Sequence, residues 1–137
     1  MRARTLGVSI GCPPRSVYEF VSDPENLPEW AKSFVLSVKR TGVDDWKVQT
    51  TRGPAALRFV VRNNFGVLDH YVTLSPGTRI FVPMRVVANG EGSEVVFTLF
   101  QQPDVTDEDF AKETEMAEAD LKNLKTVFEK TCAPVRP

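Results

Sequence analysis

Alternation of apolar and polar residues runs through most of this chain and predicts a β-rich domain closed by one long helix. Leu6-Gly7-Val8-Ser9-Ile10 alternates and predicts an opening strand. Pro13-Pro14 ends it and opens a short helix with Val17, Phe20 and Val21 at helical spacing. Asp23-Pro24-Glu25-Asn26-Leu27-Pro28 predicts a turn and one more helical turn closing on Trp30. A meander follows from Ser33 to Phe100. Its strands run over 33–40 (Phe34, Leu36, Val38 on one face), 46–51 (Trp46, Val48) and 56–62 (Leu57, Phe59, Val61). They continue over 68–74, 78–87 and 93–100. Turns are predicted at Thr41–Asp45, Arg52-Gly53-Pro54, Asn63-Asn64-Phe65-Gly66, Ser75-Pro76-Gly77 and Asn89–Gly92.

The Asn63–Gly66 hairpin fixes a register. If Asn63 pairs with Gly66, then Val61 faces Leu68 and Phe59 faces His70, so the apolar faces of the two strands coincide. The chain's single histidine therefore shares a buried face with Leu68, Val72 and Leu74. Asp69 points the other way, which excludes an Asp–His dyad and predicts a diagonal ion pair between Asp69 and Arg58. Pro83 predicts a bulge or an edge within the 78–87 strand.

The closing helix is predicted from Thr106 to Lys130. Thr106 suits an N-cap, Asp107, Glu108 and Asp109 the first turn, and lysines the last turns. Phe110, Thr114, Ala117, Leu121, Leu124 and Phe128 form one stripe to bury, and a curved sheet is the large partner available to it.

Composition narrows the function classes. With 137 residues, 42% hydrophobic and 26% charged, the chain reads as one globular domain. A net charge of -1 with scattered basic residues argues against nucleic acid as a partner. No apolar run is long enough for integral membrane association, and the N-terminus lacks the apolar core of a signal peptide, so a cytoplasmic location is expected. Cys12 and Cys132 are then expected as free thiols. One histidine and two distant cysteines do not make a metal site, and no cofactor motif is present in the sequence.

The order of elements, with Pro13-Pro14-Arg15-Ser16-Val17-Tyr18-Glu19-Phe20 and Asp23-Pro24-Glu25-Asn26-Leu27-Pro28-Glu29-Trp30, resembles the START-like helix-grip (SRPBCC) superfamily. Within it the polyketide cyclase/dehydrase-like branch is closest in pattern, and Asn64–His70 is similar to a central hairpin of bacterial members. The resemblance implies an α+β helix-grip fold. Its seven-stranded antiparallel curved sheet would wrap a long C-terminal helix, with two short helices between strands 1 and 2. It further implies an apolar cavity for a small hydrophobic or amphipathic ligand such as a lipid, polyketide or aromatic compound.

Expected ligand-binding residues are Trp30, Phe34, Phe59, Leu68, Met84, Phe97, Met116 and Leu121 as apolar walls, with His70 as a polar contact. No residue is assigned as catalytic. Two alternatives go with this reading. One is a polyketide cyclase/dehydratase-like enzyme with His70 as general acid or base. The other is a protein-interaction module with a filled, vestigial cavity and an exposed apolar patch.

Overall fold

Strand β1 (Ala3–Ile10) is followed by helix α1 (Pro14–Val21), a 3₁₀ turn (Pro24–Asn26) and helix α2 (Leu27–Trp30). Seven further strands come next: β2 (Val35–Arg40), β3 (Trp46–Thr50), β4 (Gly53–Phe59), β5 (His70–Leu74), β6 (Thr78–Val82), β7 (Met84–Asn89) and β8 (Gly92–Phe100). Helix α3 (Asp107–Thr131) closes the chain. This computed structural model describes residues 1–74 and 77–132; the expected turn at Ser75-Pro76-Gly77 lies, except for Gly77, outside them.

The single seven-stranded sheet of the expectation is corrected to two antiparallel sheets, β1-β8-β7 and β2-β3-β4-β5-β6. Pro83 is the cause. It lacks an N–H for a ladder, and the predicted 78–87 strand breaks there into β6, which pairs with β5, and β7, which pairs with β8. The segment before β5 joins the two sheets. Leu68 N–H donates to the Met84 carbonyl (2.8 Å), Val86 N–H donates to that of Gly66 (2.9 Å), and Val67 bridges to Arg85.

Asp69 supports this junction from its side chain. Its carboxylate accepts from Met84 N–H (2.8 Å) and from Arg85 (3.1 Å), the residues that follow Pro83. The expected Asp69–Arg58 pair does not form, and Arg58 instead meets Asp45 at 3.1 Å.

Phe59 pairs with His70 in the expected register. The ladder opens just beyond, so Val61 and Leu68 do not face one another: Val61 is 85% exposed and Leu68 is buried. Asn63 organises the wider loop. Its side-chain amide donates to the Val61 and Val67 carbonyls, and its oxygen accepts from Phe65 and Val67 N–H. A second correction falls in β2, where a bulge between Val35 and Ser37 buries Val35 and turns Leu36 outward to 58% exposure.

Helix α3 starts at the expected cap, Thr106, whose hydroxyl accepts from Asp109 N–H at 3.1 Å. Phe110, Thr114, Leu121, Leu124 and Phe128 of its stripe are buried and Ala117 is half-buried. The helix packs chiefly on β1 and α2.

Cys12 and Cys132 are free thiols. Sequence places them at opposite ends, but both reach the Phe128 carbonyl, Cys12 through its thiol (3.8 Å) and Cys132 through its N–H (2.7 Å). Burial, then the neighbouring Cys132 thiol, pushes the Cys12 thiol up to about 12, so Cys12 is a packing residue and a poor nucleophile.

Candidate functional site

Because strand side chains alternate, the bent five-stranded sheet turns one set of residues toward α3. Leu57, Val72 and Ile80 form one rung across β4, β5 and β6, and Phe59, His70 and Val82 form the next. With Trp30, Phe34, Val48, Met84, Phe97 and Leu99 they enclose a cavity of about 230 Å³, whose helical wall is Glu113, Met116, Ala117 and Asp120. The walls are mostly apolar, with a small set of polar groups. That is the usual make-up of a small-molecule pocket, and the volume falls just short of the roughly 300–1,000 Å³ of drug-sized sites.

Of the residues expected from sequence, Trp30, Phe34, Phe59, His70, Met84, Phe97 and Met116 stand on this wall. Leu68 and Leu121 do not. Leu68 belongs to the segment bonded to β7, two residues before β5 begins, and is buried in the core. Leu121 lies next to the cavity-facing Asp120 but on the core side of the helix.

His70 is a polar group of this wall. Its Nδ1 lies 2.9 Å from the Leu68 carbonyl, so Nδ1 carries the proton, and its ring stacks on Phe59 at 4.8 Å between centroids. Nε2 is then left as an acceptor. Burial lowers the imidazole pKa below its ordinary 6.5, against smaller opposing effects of the Leu68 carbonyl and the Asp69 charge. A neutral ring at pH 7 follows.

The shift is directly observable, because the chain has one histidine. Its Hε1 proton is expected to titrate in NMR with a midpoint below 6.5; a midpoint at or above that value contradicts a buried, neutral ring. In linkage terms the unfolded chain takes up the proton first as pH falls. His70 therefore subtracts stability as pH drops below 6.5 toward its folded value, and contributes no pH dependence well above 6.5.

Asp120 is buried, and both of its oxygens are used. Oδ1 accepts from Ser33 N–H (3.0 Å) and Oδ2 from the Ser33 hydroxyl (2.6 Å). Burial raises its pKa, and the two Ser33 bonds oppose the rise. The pair ties α3 to the segment that leads into β2, a positioning role that leaves no free carboxylate oxygen.

The mouth is marked by the exposed lining residues, Thr51 and Arg52 in the β3–β4 turn, opposite Glu113 on α3. The Thr50 hydroxyl holds that turn, donating to the Gly53 carbonyl (2.7 Å) and accepting from Arg52 N–H (3.0 Å). Arg52 is thereby presented to Glu113, with which it forms a salt bridge.

Sequence reasoning missed Ser33, Arg52, Glu113 and Asp120. The Ser33–Asp120 bond spans 87 positions and the Arg52–Glu113 bond 61, so no local motif joins them. One signal was available. Glu113, Met116, Ala117 and Asp120 recur at helical spacing and define a second face of α3 beside the core stripe.

A curved antiparallel sheet over a long C-terminal helix, with two short helices after the first strand and a cavity between the layers, defines a helix-grip protein of the SRPBCC type. The chain belongs to the family described as "Polyketide cyclase / dehydrase and lipid transport", which matches residues 3–129. No curated protein matches it in sequence.

Several solved structures share the fold. The protein XoxI from Bacillus cereus is 20% identical, with a TM-score of 0.77 over 96% of this chain and 98% of that one. A START superfamily protein from Mycobacterium smegmatis is 15% identical, with a TM-score of 0.68 over 94% and 98%. DynU16, from the dynemicin biosynthetic locus, is 16% identical with a TM-score of 0.73; the match covers 94% of this chain and 48% of that one. At these identities the likeness is one of fold. Among the described residues no helix is long and apolar enough to cross a membrane.

Proposed function

We propose that the protein binds a small hydrophobic or amphipathic molecule between the five-stranded sheet and α3. The carrying observation is the unfilled, mostly apolar cavity, walled by Trp30, Phe34, Phe59, Met84, Phe97 and Met116 with His70 as a polar contact. Burial of a ligand's apolar surface there supplies roughly 25 cal/mol per Å² before the costs of association. Membership of a family that includes lipid-transport proteins supports the same reading. The cavity supports this reading over an interaction module, for which a filled interior was the expectation.

The test is a fluorescence titration with N-phenyl-1-naphthylamine, an uncharged probe that brightens in apolar surroundings. Saturable one-to-one binding, displaced by decan-1-ol, is expected. Signal that rises without saturation argues against the cavity as a binding site.

A second reading, a polyketide cyclase/dehydratase-like enzyme, is favoured by one observation: the His70 ring borders the cavity with Nδ1 committed to the Leu68 carbonyl. In that case His70 takes a proton from the bound molecule. His70→Ala then abolishes turnover of a cyclisable polyketide while probe binding persists. Retained turnover removes His70 from the chemistry.

A further inference from the structure

The cavity's charged groups are unevenly placed. Its wall holds the neutral His70, and Asp120 spends both oxygens on Ser33. Among the described residues of the wall, the one cationic side chain is Arg52, at the mouth. It is half-exposed and donates through Nη2 to Glu113, and among the described residues no hydrogen bond engages Nε or Nη1. A guanidinium presents a planar fork that suits two carboxylate oxygens at once, so most of this one's capacity is unused.

Glu113 is a replaceable partner. An ion pair at the mouth, with Arg52 half-exposed, adds little to stability, so exchanging one carboxylate for another costs the fold little. The geometry also sets which way a ligand would lie. Asp120 is seven residues beyond Glu113 on the same helix face, about 10 Å along the axis at 1.5 Å per residue. A negative head group deep in the cavity would meet Asp120; one at the mouth would meet Arg52 and water.

We propose that the ligand carries an anionic head, a carboxylate, which displaces Glu113 from Arg52 at the mouth while its apolar tail fills the cavity. The proposal rests on the cavity being a binding site and adds the chemical class of what it takes. Arg52 anchors the head group, and Glu113 competes with the ligand for the same guanidinium.

A matched pair of probes, decanoate and decan-1-ol, separates this from the underlying reading. Calorimetric titrations at pH 8, where decanoate is ionised, are run on the wild type, Arg52→Gln and Glu113→Gln. The wild type is expected to bind decanoate about tenfold more tightly than decan-1-ol, as a charge-assisted anchor allows. Arg52→Gln erases that preference, so that decanoate and decan-1-ol bind the variant within about twofold of one another. Glu113→Gln moves the other way, widening the preference for decanoate over decan-1-ol about threefold.

A structural role for the salt bridge would weaken both variants toward both probes, and that result overturns the anchor. Equal wild-type affinities, or binding of decan-1-ol alone, overturn the anchor and leave the cavity reading standing. Failure of the wild type to bind either probe overturns both.

Discussion

Gly66→Ala is expected to destabilise the protein by about 3 kcal/mol or more, through strain and clash acting together. Gly66 sits at φ +71°, where a side chain costs roughly 1–2 kcal/mol. The added Cβ would also come within 2.1 Å of the Val86 carbonyl oxygen, on a residue whose N–H bonds to the Gly66 carbonyl. The two backbones cannot separate without losing that bond, and with it part of the seam joining the 66–68 segment to β7.

Gly53→Ala is the control. Gly53 also has positive φ, at 102°, but nothing lies within 4 Å of a Cβ there, so strain alone acts and the cost is about 1–3 kcal/mol. Urea unfolding of both variants decides the matter, and a Gly66→Ala loss no larger than that of Gly53→Ala contradicts the close approach.

Val72→Trp is expected to abolish binding of N-phenyl-1-naphthylamine, with affinity falling at least about thirtyfold while the fold is retained. Val72 is the middle of the Leu57–Val72–Ile80 rung, on the central strand of the cavity wall. An indole there has one direction in which to grow, into the 230 Å³ of unfilled space. Overpacking a full core costs about 1–3 kcal/mol, whereas filling a void avoids most of that. The expected thermal midpoint is therefore close to that of the wild type. A large loss of stability with binding intact would show that the space in front of Val72 is not where the ligand goes.

How far the sequence disclosed this protein depended on the range of each interaction. Period-two alternation and the Asn63–Gly66 turn gave the Phe59–His70 register, and Thr106 with its three following acids gave the start of α3. These signals are local. The division into two sheets depended on which neighbour each half of the Pro83-interrupted strand would choose, and that choice is made by strands distant in sequence. Asp69 shows the same limit. Its face was legible, but its partners, Met84 and Arg85, became available through the break at Pro83. Leu36 was misread because a bulge leaves no mark in an alternating pattern.

At the site, the aromatic and methionine walls followed from strand and helix periodicity. Leu68 was misplaced because the ladder to β4 is lost there, two residues before β5, where Leu68 N–H bonds to Met84 instead. The mouth was invisible, since Arg52 reads as a turn residue and Glu113 as a solvated helix residue until the fold opposes them.

The most direct test of a ligand-binding cavity is a crystal structure of the protein soaked with 10-bromodecan-1-ol, an uncharged chain whose bromine is located by its anomalous scattering. The bromine is predicted inside the cavity, among Val72, Met84 and Phe97. A cavity closed by its own side chains, with bromine found at the surface or nowhere, would contradict the account.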